Sequence, residues 1–397
     1  MAKKWNWKGI LPIIIAFMVM GFVDIVAVAI HHFKLDFALA DSLSSLLPFL
    51  IFVWFLILAL PAAAIQHRLG KKNMLSLGIG IAAVGMLIPI FEHSIRALVT
   101  AFTLVGIGNT MGQVAANPLL QGLAGIQKLP RLMNAVHFFK VLVLVIGLVI
   151  LPFFASELGD WRFVFALYTL ISVLAIAGLC TTKIEKTGGT RARFSVQSTL
   201  GLLKKPAILM MVLGLFLAVG ADVGMYSSIE NYLNFVFGLS VEKASIGLNY
   251  YFTAILLSRF LGTVLLVRFP ARMLLIASSS LALFGIVLLL FAPSPSIGLI
   301  AIVLLGFGIG NCFPLIFSIT LTKMPEKANE LSGLLVMAVS GGAFIPYLME
   351  LISQNYDTLI SLIVVIVCLA YLFTISVFES FKRQQLKKYR AHYVSQF

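Results

Sequence analysis

Asp24 is the single charged residue in an apolar run from Ile10 to Ile30. An ionised carboxylate costs several kcal/mol in hydrocarbon, so an acid kept there is expected to hold a proton, a cation or a substrate hydroxyl. Asp24 shares a helical face with His31, seven residues on, while His31 and His32 stand near the end of the run, where water reaches them. Three other apolar runs carry polar residues at helical spacing. Asn109, Gln113 and Asn117 recur every fourth residue, which makes a stripe of amides on one face. Asn134, His137 and Lys140 do the same in the next run, with Lys140 about 12 Å from its nearer edge at 1.5 Å per residue. Asp222, Tyr226 and Glu230 form a third stripe, followed by Asn231, and the run after it offers Asn249, Tyr250, Tyr251 and Thr253. Carboxyls, amides, an imidazole and phenols suit hydrogen bonding to a polyhydroxylated solute and the movement of a proton. They do not suit bond-making chemistry. Ser340 has no histidine in a later run to act as its base, and no HExxH zinc motif is present, so no enzyme is expected.

The elements that carry these residues must lie in lipid. The 397-residue chain is 60% hydrophobic and 11% charged, with a mean hydropathy of +1.05. One soluble core cannot hide that much apolar surface. Runs of 18 to 25 residues match a bilayer, and the short alternation of a β-barrel strand is missing, so the spans are helices. Twelve are expected, over 8–32, 41–65, 74–91, 97–124, 132–154, 161–181, 207–236, 245–267, 273–292, 296–320, 331–353 and 358–378. The start is read as an uncleaved first helix, because the run is too long for a signal peptide. The net charge of +14 suggests nucleic acid until its positions are counted. With the N-terminus inside, 23 of the 29 Lys and Arg fall in cytoplasmic segments. That is the positive-inside pattern, which places both termini in the cytoplasm and leaves no nucleic-acid role. Cys180, Cys312 and Cys368 are far apart in apolar spans and form no disulfide or metal pattern.

Residues 182–206 are the one long polar stretch and read as a cytoplasmic linker between a six-helix bundle over 1–181 and a second over 207–381, with a basic tail at 382–397. The halves resemble each other faintly: Gly106-Ile107-Gly108-Asn109 in the fourth span matches Gly308-Ile309-Gly310-Asn311 in the tenth. Two such repeats suggest a secondary transporter with its site near the membrane midplane. Small residues in these spans let helices approach closely. Gly341-Gly342 with Pro346 is expected to bend the eleventh span, and Pro118, Pro152 and Pro314 to bend others. Arg259, toward the cytoplasmic end of its span, is expected to lock helices or meet a helix C-terminus.

Several short motifs resemble the major facilitator superfamily, and within it the L-fucose:proton symporter family, across essentially the whole chain. Ala115-Ala116-Asn117-Pro118 is similar to that family's fourth-span AANP, and Asn231-Tyr232-Leu233 to its seventh-span NYL. Arg259-Phe260-Leu261-Gly262-Thr263 resembles RFxGT, Pro314 with Ile316-Phe317-Ser318 resembles PxIFS, and Gly341-Gly342 an eleventh-span glycine cluster. The resemblance implies two six-helix bundles that rock to give alternating access, with Asp24 as the residue of proton coupling and substrate binding. Three positions depart from the pattern. Gln113 stands where the family has a glutamate, Phe139 where it has a fifth-span asparagine, and Ala62 and His67 where its second-to-third loop has Gly and Asp, while Arg68, Gly70, Lys71 and Lys72 remain.

The expectation is a monomeric, multi-pass transporter of the inner cell membrane, coupling a proton or sodium ion to a sugar-like solute and needing no other cofactor. Its binding residues are expected to be Asp24, Asn109, Gln113, Asn117, His137, Lys140, Asp222, Tyr226, Asn231 and Asn249. The alternative is a carrier of acidic sugars or organic anions with Lys140 as counter-charge.

Overall fold

The computed structural model describes residues 9–22, 41–92, 94–157, 162–182 and 194–394. They are helical throughout. The first group is α1 (Gly9–Phe22), α2 (Asp41–Leu69), α3 (Lys71–Phe91), α4 (Ile95–Ala124), α5 (Leu129–Glu157) and α6 (Phe163–Thr181). The linker carries α7 (Val196–Gly201) and a 3-10 turn over Leu202–Lys204. The second group is α8 (Pro206–Phe237), α9 (Val241–Leu265), α10 (Ala271–Leu290), α11 (Pro295–Ile309), α12 (Cys312–Lys323), α13 (Ala328–Ala338), α14 (Gly341–Asn355) and α15 (Thr358–Val394). Among the described residues eleven segments are long and apolar enough to cross a membrane, with α11–α12 and α13–α14 each counted as one crossing. The apolar helix α1 is shorter. Asp24, His31 and His32 lie outside the described residues, and so does the second half of the expected first span.

Helix α4 runs on through Pro118, and α15 continues into the basic tail as far as Val394. The tenth and eleventh spans do break, each at a glycine-containing step. Pro314 has no N–H for the Gly310 carbonyl, and α11 stops at Ile309 before α12 begins at Cys312. The second break, at Val339–Ser340, comes just before Gly341, whose backbone lies so close to that of Phe216 on α8 that a Cβ would collide with it.

Close packing follows the glycines. Gly106 abuts the Ile51 backbone of α2, and Gly306 abuts the Tyr251 backbone of α9 in the same way. Gly108 presses on α3 at Gly78 and Ala82, and Gly308 presses on α10 at Ala282. Ser94 caps α4 by accepting the Ala97 N–H at 3.1 Å, and Ser294 caps α11 from Ile297 at 3.5 Å. The two groups therefore share a packing plan in which residue 106 corresponds to 306 and 108 to 308. The Gly-Ile-Gly-Asn likeness seen in the sequence is two residues out of that register. Gly70 alone joins α2 to α3 and takes φ 83, a left-handed conformation that favours glycine.

Helices α2, α4 and α5 of the first group meet α9, α12, α13 and α14 of the second. Large apolar side chains such as Val149, Leu170, Leu174, Phe284 and Val367 are exposed on the outside, as lipid-facing surfaces require.

Candidate functional site

A cavity lies where the groups meet. The first group supplies Phe52 from α2, Asn109 and Gln113 from α4, and His137 and Lys140 from α5. The second supplies Asp222 and Tyr226 from α8, Phe252 and Arg259 from α9, and Phe313 from α12. The open space is about 80 Å³, counted as positions for the centre of a water molecule, which is room for roughly five to eight waters.

Helical spacing explains the first wall. Asn109 and Gln113 are one turn apart on α4 and both are buried. Asn117, the third member of that stripe, is buried too but does not line the cavity; its amide donates to the Gln113 carbonyl at 3.0 Å. Asn134, a turn before His137, donates to the Pro130 carbonyl at 3.2 Å. The His137 ring is held between Phe17 of α1, at 5.2 Å between centroids, and Phe313, at 4.9 Å. Asn109 Oδ1 and His137 Nε2 are buried with no hydrogen-bond partner among the described residues. Buried polar atoms are nearly always satisfied, so such atoms beside a cavity mark capacity for water or a ligand. On the second wall the Tyr251 hydroxyl donates to Asp222 Oδ1 at 2.7 Å, and Tyr226 packs on Phe252 at 5.5 Å.

The structure therefore brings together Asn109, Gln113, His137, Lys140, Asp222 and Tyr226 from the sequence expectation. Asn231 and Asn249 are exposed near helix ends, away from the cavity. Polar residues at span ends meet water or headgroups, and no pattern in the sequence separates that role from ligand binding. Arg259 does lock helices as expected, and it also lines the cavity: Nε donates to the Gly310 carbonyl at 2.9 Å and Nη1 to the His137 carbonyl at 3.0 Å. Phe52 and Phe313 were not legible, since an aromatic residue in an apolar run has no contrast. Phe313 has one available signal, its place directly before the helix-breaking Pro314.

Pro118 and Pro314 each free a carbonyl, and both carbonyls are used. Pro118 leaves the Val114 carbonyl without its helical donor, and Ser332 of α13 donates to it at 3.1 Å across the group boundary. Pro314 leaves the Gly310 carbonyl, which Arg259 takes. At the same end of the molecule Gln66 donates to Asn329 at 3.3 Å and Gln121 to the Pro325 carbonyl at 3.4 Å, again between groups. Among the described residues that end carries most of the cations. Lys72 donates to the carbonyls of Cys180 at 3.0 Å and Thr182 at 2.9 Å, and Glu379 is gripped by Lys323 and Arg272. Toward the other end the groups touch through Phe49, 5.9 Å from Phe344 and 6.2 Å from Tyr347 between ring centroids.

Membrane helices in two groups around a shared polar cavity make the architecture of a solute carrier. The chain belongs to the Major Facilitator Superfamily, whose family description matches residues 13–347. It is 26% identical over 380 residues to a glucose/galactose transporter of Brucella abortus, covering 90% of each chain. It is 24% identical over 369 residues to a putative glucose/galactose transporter of Helicobacter pylori, covering 87% of this chain and 89% of that one. Among solved structures, the superfamily transporter FucP in its outward conformation aligns with a TM-score of 0.78 at 18% identity, over 93% of this chain and 98% of that one. The human organic anion transporter MFSD10 aligns with a TM-score of 0.77 at 12% identity, over 93% and 99%. The structural likenesses establish the fold. Membership makes the chain a multi-pass membrane transporter and not an enzyme.

Proposed function

We propose that this chain is a monomeric, proton-coupled symporter of a monosaccharide that works by alternating access in the inner cell membrane. The observation that carries the reading is the cavity wall itself: unsatisfied Asn109 and His137 beside Gln113, facing the aromatic rings of Tyr226, Phe252 and Phe313. Amides and an imidazole suit sugar hydroxyls, and flat rings suit the apolar face of a pyranose. The glucose/galactose names of relatives that cover most of the chain support the same class of solute. Two six-span halves, twelve crossings and cytoplasmic termini fit the shared packing plan and the basic excess at one end. The hydrogen bonds between groups gather at that basic end, which supports a state closed toward the cytoplasm. Asp24, alone in its apolar run, is the expected site of coupling.

Radiolabelled D-glucose and D-galactose uptake into reconstituted vesicles tests the reading, with Asp24→Asn alongside. Accumulation driven by a proton gradient in wild type, with exchange retained but accumulation lost in Asp24→Asn, is the expected result. Unchanged accumulation in Asp24→Asn removes Asp24 from the coupling. A second reading, transport of an acidic sugar or organic anion, is favoured by one observation: both Lys140 and Arg259 line the cavity. Under it, Lys140→Ala weakens glucuronate and galacturonate selectively; equal loss for neutral sugars counts against it.

A further inference from the structure

We propose that Gly342 is a positioning residue that sets the width of the solute cavity, by giving the Phe52 ring room to stand back from it. The inference deepens the sugar-transport reading and rests on it for the class of solute. Phe52 of α2 and Val223 of α8 both line the cavity, and Gly342 of α14 touches their far side without lining it. A Cβ on Gly342 would stand 2.8 Å from Phe52 Cδ1, 2.9 Å from its Cε1 and 2.9 Å from Val223 Cγ2. Carbon atoms rest about 3.5–4.0 Å apart. A single methyl group at this position must therefore displace a neighbour, and two of the neighbours form the cavity wall.

The packing of α14 decides which neighbour gives way. Gly341 lies against the Phe216 backbone, Ile345 fills the notch at Gly220, and Met349 fills the notch at Gly224. These contacts key α14 into α8, and α14 packs on α15 as well. Retreat of the helix would open all of them at once. Val223 is β-branched on a helix, which leaves its side chain one strongly preferred rotamer. The Phe52 ring is the softer neighbour. It stacks on Phe55 at 5.9 Å between centroids and 29° between planes, and Phe55 is fully buried. The open space beside the ring is the cavity, so the ring yields in that direction. Room for roughly five to eight waters is about what a monosaccharide displaces. A ring edge pushed into it spoils the fit of a hexose. A pentose, smaller by one exocyclic CH2OH, can shift within the space that is left.

D-glucose and D-xylose, the same pyranose with and without its exocyclic CH2OH, are compared by the ligand-induced rise in Tm of the full chain. In Gly342→Ala the apparent Kd for D-glucose should rise about tenfold while that for D-xylose changes less than about twofold. Adding Phe52→Leu, which removes the ring, should restore D-glucose binding. Equal loss of both sugars, or no rescue by Phe52→Leu, is the mark of a merely structural glycine and overturns the proposal. A second readout needs no solute. In a Cys180→Ser background, Val141→Cys places a thiol on the α5 wall of the cavity, and its labelling by N-methylmaleimide and by the bulkier N-cyclohexylmaleimide is read by peptide mass spectrometry. Gly342→Ala should lower the bulky-to-small labelling ratio several-fold, and Phe52→Leu alone should raise it above wild type. An unchanged ratio in Gly342→Ala overturns the proposal; should that variant fail to fold, an unchanged ratio in Phe52→Leu overturns it. Failure of wild type to bind either sugar defeats the sugar reading and leaves the labelling result to decide this proposal, whereas unchanged ratios with sugar binding intact defeat this proposal alone.

Discussion

Asn109 and His137 hold the unspent hydrogen-bonding capacity of the cavity, one from α4 and one from α5. A solute that fills this space satisfies both, so each truncation weakens binding by the worth of about one hydrogen bond. Asn109→Ala or His137→Ala should raise the apparent Kd for a bound sugar about five- to tenfold, read by the ligand-induced rise in Tm. Asn231→Ala, at an exposed helix end, should leave it unchanged. These polar residues were legible because lipid makes them conspicuous: Asn109, Gln113, His137, Lys140, Asp222 and Tyr226 stand out against apolar neighbours and all reach the cavity. The same contrast misled at Asn231 and Asn249, where the chain nears the membrane surface and polarity carries no information. Asn117 follows the helical stripe faithfully and still turns its amide to a backbone carbonyl, a choice made by packing that spacing cannot reveal.

Two prolines set the behaviour of the elements. Pro118 and Pro314 each free a carbonyl, and a donor from another helix takes it: Ser332 for Val114 and Arg259 for Gly310. The outcomes differ: α4 runs on through Pro118, whereas the tenth span divides at Gly310 and Asn311. Ser332→Ala leaves the Val114 carbonyl buried and unmet only while the groups are closed at that end, at a cost of about 1–2 kcal/mol. Maleimide labelling, at one fixed pH, of a cysteine placed at Ala63, which is fully buried beside Gly333, should therefore rise about tenfold in Ser332→Ala, and adding Pro118→Ala, which restores the helical donor, should recover part of the difference. Arg259 joins the same break to the His137 carbonyl of the other group, so Arg259→Gln should also raise that labelling. The proline positions and the freed carbonyls were readable from sequence. Which helix answers each one was not, because Ser332 lies 218 residues from Val114 and no local pattern encodes that approach.

At the scale of the whole molecule, membrane class and basic asymmetry follow from hydropathy and charge, and the faint repeat becomes a shared packing plan once Gly106 is set against Gly306 and Gly108 against Gly308. Glu379, gripped by Lys323 and Arg272 where α10, α12 and α15 meet, ties the second group together at the basic end. Glu379→Gln should lower stability by about 3 kcal/mol, seen as a lower Tm, without changing solute preference. A tied basic end and a polar cavity with unmet hydrogen bonds describe a solute carrier, and the central proposal is that it takes up a sugar with a proton. The direct measurement is D-galactose accumulation in proteoliposomes under an imposed inward proton gradient, with a protonophore as control. The account predicts internal galactose well above the external concentration, collapsing when the protonophore is added. Galactose that equilibrates but never concentrates, under the same gradient, would contradict it.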